Sequence, residues 1–128
     1  MISIYRLESD GSSVWMDSDE NYHRTDGPAI EYQDGGEEWY WHGKLHRTDG
    51  PAFTNEEISF WALHGKCHRT DGPAVTYANG TQQWWIDGQT HRTDGPAIVY
   101  ADGKQEWWFR GVEYDQMTHW LLSNKETV

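Results

Sequence analysis

The chain is poor in cysteine, in proline and in long apolar runs. Its single cysteine, Cys67, cannot form an internal disulfide, and the first residues lack the apolar stretch of a signal peptide, so we expect a reducing, cytoplasmic environment. A membrane-spanning helix needs about 20 apolar residues in succession, and the sequence contains no such run. We therefore expect a protein without a membrane partner.

Basic residues are also scarce. Ten Lys and Arg stand against 21 Asp and Glu, which gives a formal net charge of -11. Residues 1–57 alone hold 13 acidic and 4 basic side chains. A field of this sign repels the phosphates of nucleic acids, so the composition predicts no direct nucleic-acid binding.

What the chain has instead is an internal repeat. The heptapeptide His-Arg-Thr-Asp-Gly-Pro-Ala occurs four times without change, starting at His23, His46, His68 and His91, with spacings of 23, 22 and 23 residues. A Trp follows each copy at a nearly constant interval: Trp39, Trp61, Trp84 and Trp107. A period near 23 is too short for the common helical repeats and indicates a repeated structural unit.

Within a unit the pattern predicts a β-hairpin. In the last full copy the apolar residues Ile98 to Tyr100 precede the turn Asp102-Gly103, and a second alternating segment, 104–109, follows. Asp-Gly and Asn-Gly pairs suit tight turns that need positive φ. The second copy lacks this pair and is one residue shorter, so its hairpin tip must differ.

Aromatic residues make up 15% of the chain, and we expect them to carry the core. In the second strand the repeated Trp shares one face with the residue two positions later, and the residue between them points to the opposite face. Tyr40, Trp85 and Trp108 occupy that intervening position. These side chains form either a second packed layer or an exposed platform that receives a partner.

The predicted fold is therefore all-β, an elongated array of antiparallel hairpins with a short C-terminal helix. We expect one domain, made of a degenerate N-terminal cap unit (1–22), four repeats (23–45, 46–67, 68–90 and 91–111) and a C-terminal cap (112–128). Asp115 is placed to cap a helix through Leu122, with Met117, Trp120 and Leu121 facing one side.

The segment Gly-Pro-Ala-apolar-x-Tyr-x-Asp-Gly, followed by Trp and then Gly, resembles MORN repeats over nearly residues 23–111. The identity of the heptapeptide makes the chain more similar to the His-Arg-x-Asp-Gly-Pro-Ala repeat proteins of bacteriophages and large viruses. MORN units carry Gly-x-Gly where this chain has Gly27-Pro28-Ala29. The resemblance implies a solenoid of hairpins used for protein binding or self-association, in host cytoplasm if the chain is viral, with no catalytic residues to carry over.

Stacking of such hairpins by about 9.5 Å per unit would align the heptapeptides in columns. In the structural interpretation each Asp accepts hydrogen bonds from its own turn and each Arg pairs with an Asp of a neighbouring unit, which builds a ladder. The residues of this predicted ladder are Arg24, Asp26, Asp49, Asp71 and Asp94.

In the functional interpretation the same columns bind an anionic, planar ligand such as a nucleotide, stacked on aromatic rings and held by arginine. The residues proposed for that role are His46, Arg47, His68, Arg69, His91 and Arg92. A metal site is not expected, because histidines about 10 Å apart cannot converge on one ion, and no cofactor is expected. The sequence contains no nucleophile elbow or phosphate loop, so we do not expect an enzyme.

A third interpretation uses the acidity itself. Glu37-Glu38, Glu56-Glu57 and the acidic segment 17–20 could imitate DNA and occupy the nucleic-acid channel of a host enzyme, or they are simply a solvated surface. Taken together, the sequence predicts a non-enzymatic binding module, plausible as a viral inhibitor of a host defence factor, whose exposed sheet edge also allows homodimerisation.

Overall fold

The structure is a computed structural model that describes residues 3–127, and the chain divides into two compact units, Met1–Lys66 and Cys67–Val128. The described residues form short strands and one helix. In chain order these are β1 Ile4–Leu7, β2 Ser13–Met16, β3 Ile30–Glu31, β4 Glu37–Glu38, β5 Tyr40–Trp41, β6 Lys44–Leu45, β7 Phe53–Thr54, β8 Ile58–Phe60, β9 Ala62–Leu63, β10 Lys66–Cys67, β11 Val75–Tyr77, β12 Gln82–Gln83, β13 Trp85–Ile86, β14 Gln89–Thr90, β15 Ile98–Val99, β16 Gln105–Phe109, β17 Val112–Tyr114 and α1 Gln116–Thr127.

Each unit contains an antiparallel sheet. In the first unit the strand order is β1-β2-β3-β4-β7-β8, and in the second it is β11-β12-β15-β16-β17. The prediction of antiparallel hairpins followed by a C-terminal helix is confirmed. No helix within residues 3–127 is long and apolar enough to cross a membrane.

The repeat has a second hairpin that the sequence analysis missed. After the repeated Trp the chain leaves the main sheet and forms a two-stranded hairpin, β5 with β6 in the first unit and β13 with β14 in the second. His42 and Gly43 connect β5 to β6, with φ of 46° and 85°. Two successive positive φ values are those of a type I′ turn, the turn that matches the twist of a two-residue hairpin. Gly43 is therefore a turn residue between two strands.

The tips of the first hairpins share a different geometry. Gly35 has a φ of 94°, and its N–H donates to the carbonyl of Tyr32 at 3.1 Å, which is the three-residue loop that ends in a left-handed glycine. Gly11 repeats this geometry in the N-terminal segment, with a φ of 87° and a bond to the carbonyl of Glu8. In the second copy Asn55 closes the tip, because its side-chain oxygen accepts from the backbone N–H groups of residues 57 and 58. That tip differs from the others, as its sequence predicts.

The expectation that aromatic side chains carry the core is wrong. The buried apolar residues are aliphatic: Val14, Met16, Ala29, Ile30, Ala52, Ala62, Ala74, Val75, Ala97 and Ile98. The tryptophans within residues 3–127 are half-buried or exposed. An indole is too large to be enclosed by a thin sheet, whereas the alanine of each heptapeptide, at 0% exposure in all four copies, fits under the backbone.

The helix α1 begins as predicted but buries a different face. The side chain of Asp115 accepts from the N–H of Thr118 at 2.7 Å, which is an N-cap bond. Met117, Trp120 and Leu121 lie together but are exposed, at 66%, 58% and 54%. The buried face contains His119 instead, whose Nε2–H donates to the carbonyl of Arg92. The apolar stripe of α1 therefore has no cover within the described residues.

Candidate functional site

Every heptapeptide histidine accepts a hydrogen bond from the backbone. Nδ1 of His46 accepts from the N–H of His64 at 3.0 Å, and His64 is the first residue of the next positive-φ turn. The other copies make the same bond at 2.9 to 3.0 Å: His23 with His42, His68 with Asp87, and His91 with Arg110. In each of these turns the following glycine N–H donates to the residue before the histidine, as Gly43 does to Tyr22. The histidines hold the type I′ turns in place.

An Nδ1 atom that accepts from an amide carries no proton, so this bond favours a neutral imidazole. Burial lowers the pKa of His23, and the neighbouring His42 lowers it further. Burial also lowers the pKa of His46, with a smaller contribution from His64. Beside His23, the ring of His42 stacks at 4.0 Å between centroids and its Nδ1 lies 2.7 Å from the Asp17 carboxylate, which lowers the pKa of Asp17 to about 2.

The heptapeptide arginine is held on three sides. In the second copy, Nε of Arg47 donates to Asp49 at 2.8 Å, Nη1 donates to the carbonyl of Pro51 at 3.2 Å, and the guanidinium carbon lies 3.8 Å from the centre of the Trp39 ring. On the other side lies Gly50, where an added Cβ would approach the guanidinium carbon to 2.8 Å. The charged plane is thus enclosed between an indole and a glycine backbone, and only glycine leaves room for it.

The other copies repeat this arrangement. Arg24 stacks on Trp15 at 3.8 Å and Arg92 on Trp84 at 3.9 Å. Their Nε atoms donate to Asp26 and Asp94, and Nη1 donates to the proline carbonyl of the same heptapeptide. Trp15 lies in the N-terminal segment, so that segment supplies an indole as a full repeat does.

The predicted pairing of each Arg with an Asp of a neighbouring unit is therefore wrong. Arg69 donates to Asp71 at 2.7 Å and to the carbonyl of Pro73, both within its own loop, as the other copies do. The Asp two residues along is the nearer partner because the loop turns back over the arginine side chain. Nothing in the structure explains the Thr of the heptapeptide, which is exposed in all four copies.

The face of the sheet opposite the heptapeptide arginines carries tyrosines and tryptophans whose hydroxyl and N–H groups donate hydrogen bonds to neighbouring side chains, mostly carboxylates. In the first unit Glu38 accepts from the hydroxyls of Tyr32 at 2.6 Å and of Tyr40 at 2.7 Å. The hydrogen bond with Glu38 is the main cause that raises the pKa of Tyr32, whereas burial is the main cause for Tyr40. We call this group the Glu38 cluster.

The second unit repeats the arrangement around Glu106. Its carboxylate accepts from the hydroxyl of Tyr100 and from the indole N–H of Trp108, both at 2.9 Å. We call this group the Glu106 cluster. Trp85 occupies the corresponding position one repeat earlier, and its N–H donates to Gln83 at 2.9 Å. Trp85 and Trp108 are both half-buried, so each presents part of its ring to solvent while its polar atom is satisfied.

Comparison with protein-family models, with curated proteins and with solved structures found no match to this chain. The resemblance to MORN repeats and to viral hairpin repeats thus rests on the residues quoted above.

Two grooves lie on the heptapeptide side of the second unit. The first, of about 520 Å³, is lined by the loops of the third and fourth copies, including Arg69, Arg92, His91 and Trp84. The carboxylates of Asp71 and Asp94, the partners of these arginines, line it as well. The second groove, of about 970 Å³, lies between the last heptapeptide loop and α1, over Trp107.

Reactive and metal-binding chemistry finds little support in the described residues. Within residues 3–127 no group of three His, Cys, Asp or Glu side chains is placed to hold a metal ion. Burial raises the pKa of the Cys67 thiol to about 11, which keeps it protonated at neutral pH and poorly nucleophilic.

The sequence analysis missed the groove over Trp107 and the turn residues that bind the histidines. The pairs His42-Gly43 and Asp87-Gly88 were the available signal, since positive φ favours such sequences.

Proposed function

We propose that the protein is a non-enzymatic binding module of MORN-like hairpin repeats that contacts a protein partner through Trp85 and Trp108. Tyr40 holds the same repeat position in the first unit, where it is half-buried against the core residues Val14, Met16 and Ile30. The observation that carries this proposal is the Glu106 cluster and its counterpart around Glu38. Their hydroxyl and N–H groups already have acceptors inside the protein. A partner that covers the rings therefore gains apolar contact without leaving a donor unsatisfied.

The spacing of the two tryptophans supports the same use. Trp85 lies in β13, two residues after β12 ends, and Trp108 lies in β16; β12 and β16 are separated in the main sheet by β15 alone. Equivalent positions of neighbouring repeats are therefore about two strand spacings, roughly 9.5 Å, apart, so one partner surface can cover both rings. Half-buried aromatic side chains with fixed orientation lose little entropy on binding, which makes them effective contact residues.

The experiment is a pull-down from host lysate with the wild-type protein and a Trp85→Ala/Trp108→Ala double variant. We expect a specific partner that the double variant loses and that a control variant, Val112→Ala, retains, since Val112 is exposed and outside the two clusters. Nucleotides added in excess should not release the partner. Equal retention by the double variant would exclude this surface.

A nucleotide sponge remains the alternative, because the groove of about 520 Å³ brings Arg69, His91 and Arg92 to one place beside Trp84. Against it, each arginine already holds an aspartate and a carbonyl, so an anionic ligand would compete with bonds that support the fold. Isothermal calorimetry with mono-, di- and cyclic nucleotides tests it: saturable heat that Arg69→Ala or Arg92→Ala abolishes would favour the sponge. Loss of thermal stability in the same variants, with no ligand present, is what the structural role predicts.

Imitation of DNA by the acidic first unit is a further candidate. It is tested by asking whether duplex DNA competes with the protein for a captured nuclease.

A further inference from the structure

The repeated tryptophan at the C-terminal end of the second unit has no arginine over it. Trp15, Trp39 and Trp84 each carry a heptapeptide guanidinium at 3.8 to 3.9 Å from the ring centre. Trp107 occupies the same repeat position, and within residues 3–127 no cationic side chain stacks on it.

The sequence explains why this position is empty of its own arginine. Arg47 and Arg92 each stand eight residues after the tryptophan on which they stack. Eight residues after Trp107 the chain has Asp115, which caps α1 instead of starting a fifth heptapeptide. The last repeated tryptophan, Trp107, therefore lacks the arginine that stacks on the corresponding tryptophan in other repeats.

The groove over Trp107 is the counterpart of the groove over Trp84. Both are lined by the Thr-Asp-Gly of a heptapeptide, Thr70–Gly72 in one case and Thr93–Gly95 in the other. The far wall is a heptapeptide loop with its arginine in the first groove and α1 in the second. The volume accordingly increases from about 520 Å³ to about 970 Å³.

The chemistry of the second groove fits a cation. Its lining includes Asp94, whose side chain accepts from Nε of Arg92 and is 84% exposed, and contains no Lys or Arg. Its His119 ring already donates to the carbonyl of Arg92. Ser123, 3% exposed, lines it as well, and the buried hydroxyl has no hydrogen-bond partner among the described residues. The lining offers an anionic ligand no cationic side chain, and the net charge of -11 disfavours its approach.

We propose that this groove binds an arginine side chain of a partner protein, with its guanidinium stacked on Trp107 as Arg92 stacks on Trp84. The exposed side chains of Met117 and Trp120, at the rim of the groove, then cover the apolar stem and a neighbouring apolar residue of the partner. Arginine suits the site better than lysine because its planar group stacks on an indole and offers several donors to Asp94 and Ser123. This proposal does not depend on the Trp85 and Trp108 surface.

The test is an NMR titration of the full chain labelled at the indole N–H groups with two peptides, acetyl-Leu-Arg-Leu-amide and its citrulline analogue. Citrulline keeps the shape of arginine and removes its charge. We expect saturable shifts of the Trp107 and Trp120 signals with the arginine peptide, and binding about 3- to 30-fold weaker with citrulline. Equal binding of both peptides would overturn the proposal, because the attraction would then not be to a cation.

Variants separate the groove from other surfaces. Trp107→Leu should abolish the titration, and, in case that variant does not fold, Trp120→Ala removes an exposed side chain from the rim and should weaken binding. Leu121→Ala is the matched control, since Leu121 is similarly exposed on α1 but does not line the groove. Loss of binding in Leu121→Ala and not in Trp120→Ala would contradict the assignment. Sedimentation at increasing protein concentration tests whether the occupant is a second copy of this chain. Dimers that form with concentration and that the arginine peptide dissociates would show self-association through the groove. That result would overturn the proposal of a separate partner protein.

Discussion

Nδ1 of His46 accepts a hydrogen bond from the backbone N–H of His64 at 3.0 Å, so the fold requires a neutral imidazole at position 46. Protonation would place a second proton where the amide already points. The lowered pKa of His46, caused mainly by burial, expresses the same preference for the neutral form.

We predict that stability decreases on acidification for this reason. The pKa of His46 is lower in the folded than in the unfolded chain. Its contribution is therefore fully present above the unfolded pKa of about 6.5 and is lost as the pH falls from there through the folded pKa, by at most about 1.4 kcal/mol per pH unit. Asparagine at position 46 keeps an acceptor oxygen near the place of Nδ1 and does not titrate. Urea unfolding at pH 7.5 and pH 5.5 should therefore show a smaller loss for His46→Asn than for the wild type. An equal loss in both would contradict the prediction.

The enclosed arginine gives a second prediction. In Gly50→Ala the new Cβ would lie 2.8 Å from the guanidinium carbon of Arg47 and push it off Trp39. We expect a loss of about 1 to 3 kcal/mol in the free energy of unfolding, measured by urea titration without any ligand. In an Arg47→Ala background the same glycine substitution should cost almost nothing, because the clashing group is gone. If Gly50→Ala lowers the free energy of unfolding by the same amount in the Arg47→Ala background, the clash is not with the arginine side chain.

Cys67 should react slowly in the folded protein. Burial raises the pKa of its thiol from 9.0 to about 11, which lowers the thiolate fraction at neutral pH about 100-fold. Alkylation by iodoacetamide, followed by mass spectrometry, should be slower by at least about that factor than in 8 M urea. A folded-state rate close to the unfolded one would show that the thiol is open to solvent.

The start of α1 depends on one carboxylate. Asp115→Ala removes the acceptor for the N–H of Thr118, and we expect a lower free energy of unfolding together with a weaker helical signal in far-ultraviolet circular dichroism. Asp115→Asn retains an acceptor oxygen and serves as the control. Since α1 forms one wall of the groove over Trp107, the alanine variant should also bind the arginine peptide more weakly than the wild type does.

Much of the local structure could be predicted from sequence, because turn chemistry and alternation are short-range properties. Gly35 and Gly103 both have the positive φ that their Asp-Gly pairs indicate, and Asp115 caps the helix. The direction of the arginine pairing could not be predicted, since an Asp two residues away and an Asp of the next repeat are equally good partners until the loop geometry is known.

The burial of α1 was beyond sequence reasoning for a related reason. Met117, Trp120 and Leu121 form an apolar stripe, and such a stripe ordinarily packs inward. Here His119 is buried and donates to the carbonyl of Arg92 in the last heptapeptide loop, and the apolar stripe lies on the exposed side of α1. The partner of His119 is distant in sequence, so the periodicity of α1 could not indicate it.

The self-contained heptapeptide loop has a consequence for how such genes change. Arg47 forms its hydrogen bonds within its own repeat, but the indole on which it stacks, Trp39, belongs to the preceding repeat. A repeat of about 23 residues therefore supplies the hydrogen-bond partners of its own arginine and one tryptophan for the arginine of the next repeat. Unequal recombination can therefore add or delete a whole unit without creating an unpaired charge, and the length of the array becomes a property that selection can adjust in single steps.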